Sequence, residues 1–524
     1  MSNPVYISIR VLALLGISCF GWRSVNAQAP PIQWQKCFGG SGSDQSRSIY
    51  QTTDSGFIIA GYSASADGDV TGLHGSAADY WLVKISASGT MLWQKCIGGS
   101  GSDLAYSIAQ TKDKGYVVAG YSNSNDGDVS GNHGSWDYWV VKLNDTGGIQ
   151  WQKSLGGSAS DIPRSIQQTN DSGYIIAGAS ASINGDVTGN HDSADCWIIK
   201  LSALGDTQWE RSYGGSRGDG GVSIKQTPDS GYIVACSSNS PDGDVTGNHG
   251  DYDVWILKLS AAGAIQWGKS YGGSGADYAE GILLTADGGY IVAASSNSAD
   301  GDVTGNHGGF DYWLLKLSAA GSIQWQRSYG GSNDEFAASI QQTSDSGYIV
   351  CGTTFSNDSQ VAVNFGNSDI WLTKLSAAGS IQWQKSLGGS SYDDAAAALQ
   401  VSDSTYIVAG FSSSNDVEVT GNHGADDYWV VKLGDSLVVD TVLTKVNTPG
   451  NAVAISVIPN PAATSLTIQS NEPINQITIT NLLGQTIFTH NHNTEQVQID
   501  VANLPSGVYF VKINDCEVRK FVKE

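Results

Sequence analysis

Cys196-Trp197-Ile198-Ile199-Lys200-Leu201-Ser202-Ala203-Leu204-Gly205-Asp206-Thr207-Gln208-Trp209 contains two tryptophans, and each belongs to a periodic series. Trp197 falls in the series Trp81, Trp139, Trp197, Trp255, Trp313, Trp371 and Trp429, with every step 58 residues. Trp209 falls in the series Trp34, Trp93, Trp151, Trp209, Trp267, Trp325 and Trp383, with steps of 58 after a first step of 59. Seven copies of one unit mean a single supersecondary module repeated.

Working outward from that stretch gives the module. Upstream, Ser165-Ile166-Gln167-Gln168-Thr169 alternates as a short strand, and Asn170-Asp171-Ser172-Gly173 has the composition of a turn. Tyr174–Gly178 is apolar on both faces, as is Cys196–Leu201, and a polar loop of residues 180–194 separates them. Ala203-Leu204-Gly205-Asp206 then turns the chain into a last strand around Trp209. Each repeat is a four-stranded meander. Middle strands that are apolar on both faces need cover on both faces. A ring of sheets provides it, so the expected fold is all-β, with a seven-bladed β-propeller over residues 28–433. Ala105, Ser107, Ala337 and Ser339 suit a crowded innermost strand. The first complete element, Ile32–Cys37, reads as an outer strand, and the last, Tyr428–Leu433, as a third strand. The N-terminal strand is therefore expected to complete the last blade and leave no open edge.

Lys316-Leu317-Ser318-Ala319-Ala320-Gly321-Ser322-Ile323-Gln324-Trp325 resembles the tryptophan-docking repeat of quinoprotein-like propellers and of large bacterial surface proteins. The resemblance implies a fold; chemistry must come from particular residues. No set of residues points to a bound quinone.

The flanks carry an address. Arg10, the apolar run Val11–Phe20 and Val25-Asn26-Ala27 read as a cleavable signal peptide over residues 1–27. No later stretch is long and apolar enough to cross a membrane. Formal net charge is −23, from 27 basic and 50 acidic residues, which excludes a nucleic-acid partner. The cysteines form no CxxC pair and read as small core residues. After a linker at 434–454, residues 455–524 alternate as a small immunoglobulin-like β-sandwich. Pro459-Asn460-Pro461, Asn481-Leu482-Leu483-Gly484-Gln485, Pro505-Ser506-Gly507-Val508-Tyr509 and a closing basic–apolar strand resemble the type A C-terminal sorting domain of the type IX secretion system of Bacteroidota. That resemblance implies export to the outer-membrane surface of a Gram-negative cell, with the type IX machinery as a partner. A monomer is expected.

Function concentrates on long loops held by a rigid frame. The loops between second and third strands share Asp-Gly-Asp-Val-Thr-Gly-Asn-His-Gly, complete at 242–250 and 300–308. Asp67, Asp69, Asp126, Asp128, Asp242, Asp244, Asp300 and Asp302 therefore read as candidate oxygen ligands for calcium, with turn capping as the alternative. The recurring histidines read as loop hydrogen-bonding residues. A second set, Asp44, Asp103, Asp161, Asp219, Asp277, Glu335 and Asp393, precedes each inner strand and is expected to ring one mouth of the channel. There is no HExxH motif. The expected function is a non-catalytic surface propeller binding a glycan or a protein, through aromatics such as Trp136 and Phe310. The alternative is a secreted polysaccharide hydrolase. Residues that depart from the repeat include Arg47, Arg164, Arg217 and the sixth loop.

Overall fold

The computed structural model describes residues 28–191, 193–434, 455–481, 485–514 and 517–523. The expected signal peptide, nearly all of the expected linker and Gly484 lie outside the described residues. Contacts divide the chain into two units, Met1–Ser436 and Leu437–Glu524.

In the first unit the repeat becomes a sheet. The first blade runs Asp44–Gln51, Phe57–Ser63, Asp79–Ile85 and Met91–Ile97 as an antiparallel meander, and the same order recurs around the ring. The seventh blade has only three strands of its own, Asp393–Ser402, Thr405–Ser412 and Asp427–Leu433. Its outer strand is Ile32–Phe38, paired antiparallel from Phe38 opposite Tyr428 to Ile32 opposite Leu433. Trp429 Nε1 donates to Gln35 Oε1 at 2.8 Å, the bond that Trp81 makes to Gln94 within the first blade. Phe57, Trp81 and Val83 share one core with Ile407, Tyr428 and Val430, so the ring is closed.

Burial between blades drives this packing. All seven third-strand tryptophans are fully buried, each in an apolar cluster drawn from two neighbouring blades. Removing such a ring costs about 3–5 kcal/mol. Four junctions carry a specific lock. Tyr80, Tyr138, Tyr312 and Tyr428 each donate a hydroxyl to the backbone carbonyl of the next blade's Trp139, Trp197, Trp371 and Trp81. Each of these rings rests over a glycine of that next blade, Gly120, Gly178, Gly352 and Gly61. A Cβ on Gly120 would lie 2.0 Å from Leu104 O and 2.6 Å from the Tyr80 hydroxyl, so only glycine fits.

The turn between inner and second strands is fixed by a buried lysine. Lys84 Nζ bonds Thr52 Oγ1 and Asp54 Oδ1, both at 3.0 Å, and Asp54 Oδ1 accepts the Gly56 N–H. Burial opposes ionisation of Asp54, but the Thr52 and Lys84 bonds outweigh it and hold the carboxyl down to about 2.

Every inner strand is broken by a one-residue bulge three positions after its leading acid. The skipped residues are Arg47, Tyr106, Arg164, Val222, Glu280, Ala338 and Ala396. A bulge re-aims one side chain while the ladder continues on either side.

The second unit is one five-stranded sheet. Ser465–Asn481 pairs Ile455–Ile458 with its first half and Gly507–Ile513 with its second, while Thr486–Asp500 follows both halves. Register breaks between Gln469 and Gln476 let the two halves share one core that holds Leu466, Ile468, Ile477 and Ile479, as in an immunoglobulin-like domain. The motif residues lock its turns. Asn460 Oδ1 accepts Val522 N at 2.9 Å, which ties the Pro459-Asn460-Pro461 turn to the last strand. Gln485 N donates to Asn481 Oδ1, Tyr509 Oη donates to Pro505 O, and the Tyr509 ring stacks on Phe521.

Candidate functional site at the channel mouth

The shared loop string is explained residue by residue as architecture. In the first loop, Asp67 Oδ1 accepts Ser41 N–H at 2.7 Å, and Asp69 N donates to Gly39 O. Val70 is buried and plugs the loop into the blade. In the second loop Gly131 has φ +85°, and Asn132 bonds Ser122 O and Gly134 N. Asn184 accepts Ser158 N–H just as Asp67 accepts Ser41, so this position needs an acceptor oxygen rather than a charge. Asp126, Asp242 and Asp300 repeat the Asp67 bond, and Asp128, Asp244 and Asp302 sit as Asp69 does. Among the described residues, no three His, Cys, Asp or Glu side chains gather as a ligand set.

The leading acids stand at the head of the inner strands, but they are enclosed rather than open to the channel. Asp44, Asp103, Asp161, Asp277, Glu335 and Asp393 are fully buried, and Asp219 is nearly so. Asp161 shows the pattern: Oδ2 accepts Gly157 N–H and Ser182 Oγ–H, and Oδ1 accepts from Ser180. Asp44, Asp103 and Asp219 keep the two Oδ2 bonds, and their Oδ1 has no hydrogen-bond partner.

A second ring of acids was not legible as such. Asp79, Asp137, Asp195, Asp253, Asp311, Asp369 and Asp427 begin the third strands and are also fully buried. In six of them, one oxygen takes a histidine backbone N–H and lies beside the same residue's Nδ1, as in His191 and Asp195 at 2.7 Å. The histidines thus serve the loop, as expected. In all seven, Oδ1 has no hydrogen-bond partner. It faces the leading acid of the next blade across a glycine: a Cβ on Gly98 would meet Asp103 Oδ2 at 2.5 Å and Asp79 Oδ1 at 2.8 Å. Burial, with the neighbouring carboxylate adding to it, pushes Asp103 up to about 6. Asp195 also rises to about 6, burial outweighing its bond to His191. The sixth junction has Phe365 where the others have histidine, and there Asp369 rises furthest, to about 7.

Inside this frame, the repeat varies at two positions beside the channel. At the second residue of the inner strand stand Gln45, Leu104, Ile162, Gly220, Tyr278, Phe336 and Asp394. Just before the third strands stand Ala78, Trp136, Ala194, Tyr252, Phe310, Ser368 and Asp426. With the bulge residues these positions face the loop end of the channel. One aromatic arc runs Tyr252, Tyr278, Phe310, Phe336 and Phe355, with neighbouring ring centroids 5.2–6.4 Å apart. Phe336 and Phe355 are 36% and 38% exposed. A second arc joins Tyr106, Tyr121 and Trp136. Trp136 and Phe310, singled out in the sequence, are half-buried members of these arcs.

Arg47 and Arg164 both lie against the Tyr106 ring, at 5.7 and 4.6 Å from its centre. Arg47 donates to Gln45 Oε1, while its Nε–H is buried without a partner. On the opposite wall, burial raises Glu280 to about 8 against the lowering pull of Arg164. Between the third and fourth blades, Gly220 leaves a cleft of about 260 Å³, lined by Ile162, Arg164, Val222 and Tyr252. Arg217 lies on the exposed turn beside it. Sequence reading chose this loop face and named Trp136, Phe310, Arg47 and Arg164 singly, but it missed their convergence with Tyr252, Tyr278 and Glu280. Its signal was available: it is where seven otherwise matching repeats disagree.

Residues 456–524 match the family of secretion system C-terminal sorting domains. Over 256 residues, 44% of this chain, the chain is 29% identical to the regulatory protein FlaEY of Caulobacter vibrioides, and the match spans about a quarter (26%) of that protein's length. Among solved structures, PorZ, a surface component of the type IX secretion system of Porphyromonas gingivalis, is similar at 13% identity and TM-score 0.39, covering 93% of this chain and 60% of that one. A polysaccharide lyase, the PL25 ulvan lyase, is similar at 12% identity and TM-score 0.42, covering 75% and 97%. The chain is a β-propeller that ends in a type IX sorting domain, a tail that engages that secretion machinery and marks it for the cell surface in Bacteroidota.

Proposed function

We propose that this protein is a surface-displayed propeller that binds a glycan at the loop-side mouth of its channel, without turning it over. One observation carries the reading: the departures from seven-fold symmetry gather at that mouth and are mainly aromatic, with Arg47 and Arg164 among them. Aromatic faces at a wet concave surface suit the apolar faces of sugar rings, and planar guanidinium groups suit carboxylate or hydroxyl oxygens. The enclosed acids and capped loops form a rigid frame for those side chains. The test is an oligosaccharide-binding screen of the exported chain, with and without calcium, since Asp67 and its counterparts keep calcium a candidate for the loops. Binding that falls at least about tenfold in Phe336→Ala and Tyr252→Ala, with melting unchanged, supports the reading. Binding that ignores both substitutions removes it.

A second reading, a glycan-cleaving enzyme, is favoured by Glu280. It is an unrepeated acid on a bulge, held protonated near neutral pH, as a general acid must be. Release of new sugar ends, abolished by Glu280→Gln with binding retained, would establish this reading over the first.

A further inference from the structure

The tyrosine-over-glycine lock is replaced at the junction between the third and fourth blades. At that junction, Cys196 stands where Tyr80, Tyr138, Tyr312 and Tyr428 stand in their blades. Across the same interface, Cys236 stands where Gly120, Gly178, Gly352 and Gly61 receive those rings. Both partners of one contact have changed together, and both have become cysteine. The two sulfurs lie 3.2 Å apart on neighbouring blades, and both residues are fully buried. A disulfide needs about 2.05 Å, so a small side-chain rotation closes the gap. The sorting tail sends the chain out of the reducing cytoplasm to where such bonds persist.

We propose that Cys196 and Cys236 form an inter-blade disulfide in the exported protein. Formation is thiol–disulfide exchange with a disulfide-bearing oxidant of the cell envelope. One cysteine attacks as thiolate and forms a mixed disulfide; the second displaces the carrier's remaining sulfur. One S–S bond forms in the ring and one breaks in the carrier. The two cysteines are oxidised, the carrier ends as two thiols, and the two protons lost from the ring balance those gained. Burial pushes the Cys236 thiol well up, so the closed ring resists exchange. The remaining described cysteines, Cys37, Cys96 and Cys351, are buried apart from this contact.

The test uses the full chain exported by its own route, denatured in an alkylating agent without reductant and mapped by mass spectrometry. The expected result is one cross-linked pair of peptides carrying Cys196 and Cys236, lighter by two hydrogens than the free pair, with Cys37, Cys96 and Cys351 alkylated. Alkylation of both Cys196 and Cys236, or pairing of either with another cysteine, overturns the proposal. Melting gives a second measurement. Protein reduced in denaturant and refolded with its thiols blocked from reoxidation by reductant is expected to melt about 4 °C below the exported protein. The Cys196→Ser/Cys236→Ser variant is expected to melt at the reduced value and to ignore reductant. Cys196→Tyr/Cys236→Gly, which introduces the lock found at four other junctions, is expected to recover stability without a disulfide. A wild-type protein whose melting is the same before and after reduction in denaturant and refolding counts against the bond.

Discussion

Asp79 leaves its Oδ1 without a hydrogen bond, facing Asp103 Oδ2 of the next blade across Gly98. Burial first, and the facing carboxylate second, oppose ionisation of Asp103 and raise it to about 6. The same relation recurs at every junction of the ring, from Asp137 and Asp161 round to Asp427 and Asp44.

Stability should therefore rise on mild acidification. Asp103, Asp195 and Asp369 have folded values near 6, 6 and 7, above the ordinary 3.8. A raised carboxyl contributes stability that is full below about 4 and lost as pH climbs to 6–7. His191, raised by its bond to Asp195, acts in the same direction across neutral pH. Asp54, Asp171 and Asp345, held near 2, act oppositely: their contribution is full above about 4 and lost below it. The melting temperature is expected to increase from pH 8 to about pH 5 and to fall below pH 4. A steady decline from pH 8 to 5 in calorimetry would refute the raised carboxyls.

The sixth junction isolates the effect. Asp369 has no histidine beside it, only the Phe365 N–H. Asp369→Asn should stabilise the ring at pH 8 by about 1 kcal/mol and have little effect at pH 5. Asp195→Asn should behave differently, because it also disturbs the bond to His191. Thermal melts of both variants at the two pH values make the comparison, and equal effects at pH 8 would count against it.

Ring closure can be weighed at one contact. Tyr428→Phe removes only the hydroxyl that reaches Trp81 O and should cost about 1 kcal/mol. Trp429→Ala removes a fully buried indole and should cost about 3–5 kcal/mol. Denaturant unfolding measures both. A loss of under 1 kcal/mol for Trp429→Ala would mean that this blade is not packed as described.

Two glycines separate frame from site. Gly120→Ala forces a Cβ onto Leu104 O and should abolish folding or cost more than about 3 kcal/mol. Gly220→Ala meets only Ala179 Cβ at 3.5 Å and should fold normally. It narrows the cleft beside Arg164, so glycan affinity should change while melting does not.

Much of this was legible from the tryptophan period. It gave the blade count, the meander and the completion of the last sheet by Ile32–Phe38, because each depends on spacing and on which strands are apolar on both faces. What spacing cannot show is which way one side chain turns. Asp44 and its counterparts were expected to ring one mouth; the spacing does not show that Asp44 turns into the protein, where its Oδ2 accepts from Gly40 N–H and Ser65 Oγ–H. Arg47 and Glu280 owe their place in the channel to a bulge, which a repeat alignment does not display. Cys196 and Cys236 lie 40 positions apart, and only the order of neighbouring blades brings them together.

Gln35 and Trp429 meet although 394 positions separate them in sequence. The earliest ribbon of the ring to be synthesised thus waits for the latest, and no partial product can finish the circle. Such a long-range final step makes assembly slow compared with folding from local contacts. Until that last contact forms, the apolar flanks of the terminal blades have no lasting cover, so the ring gains its rigidity in one late step.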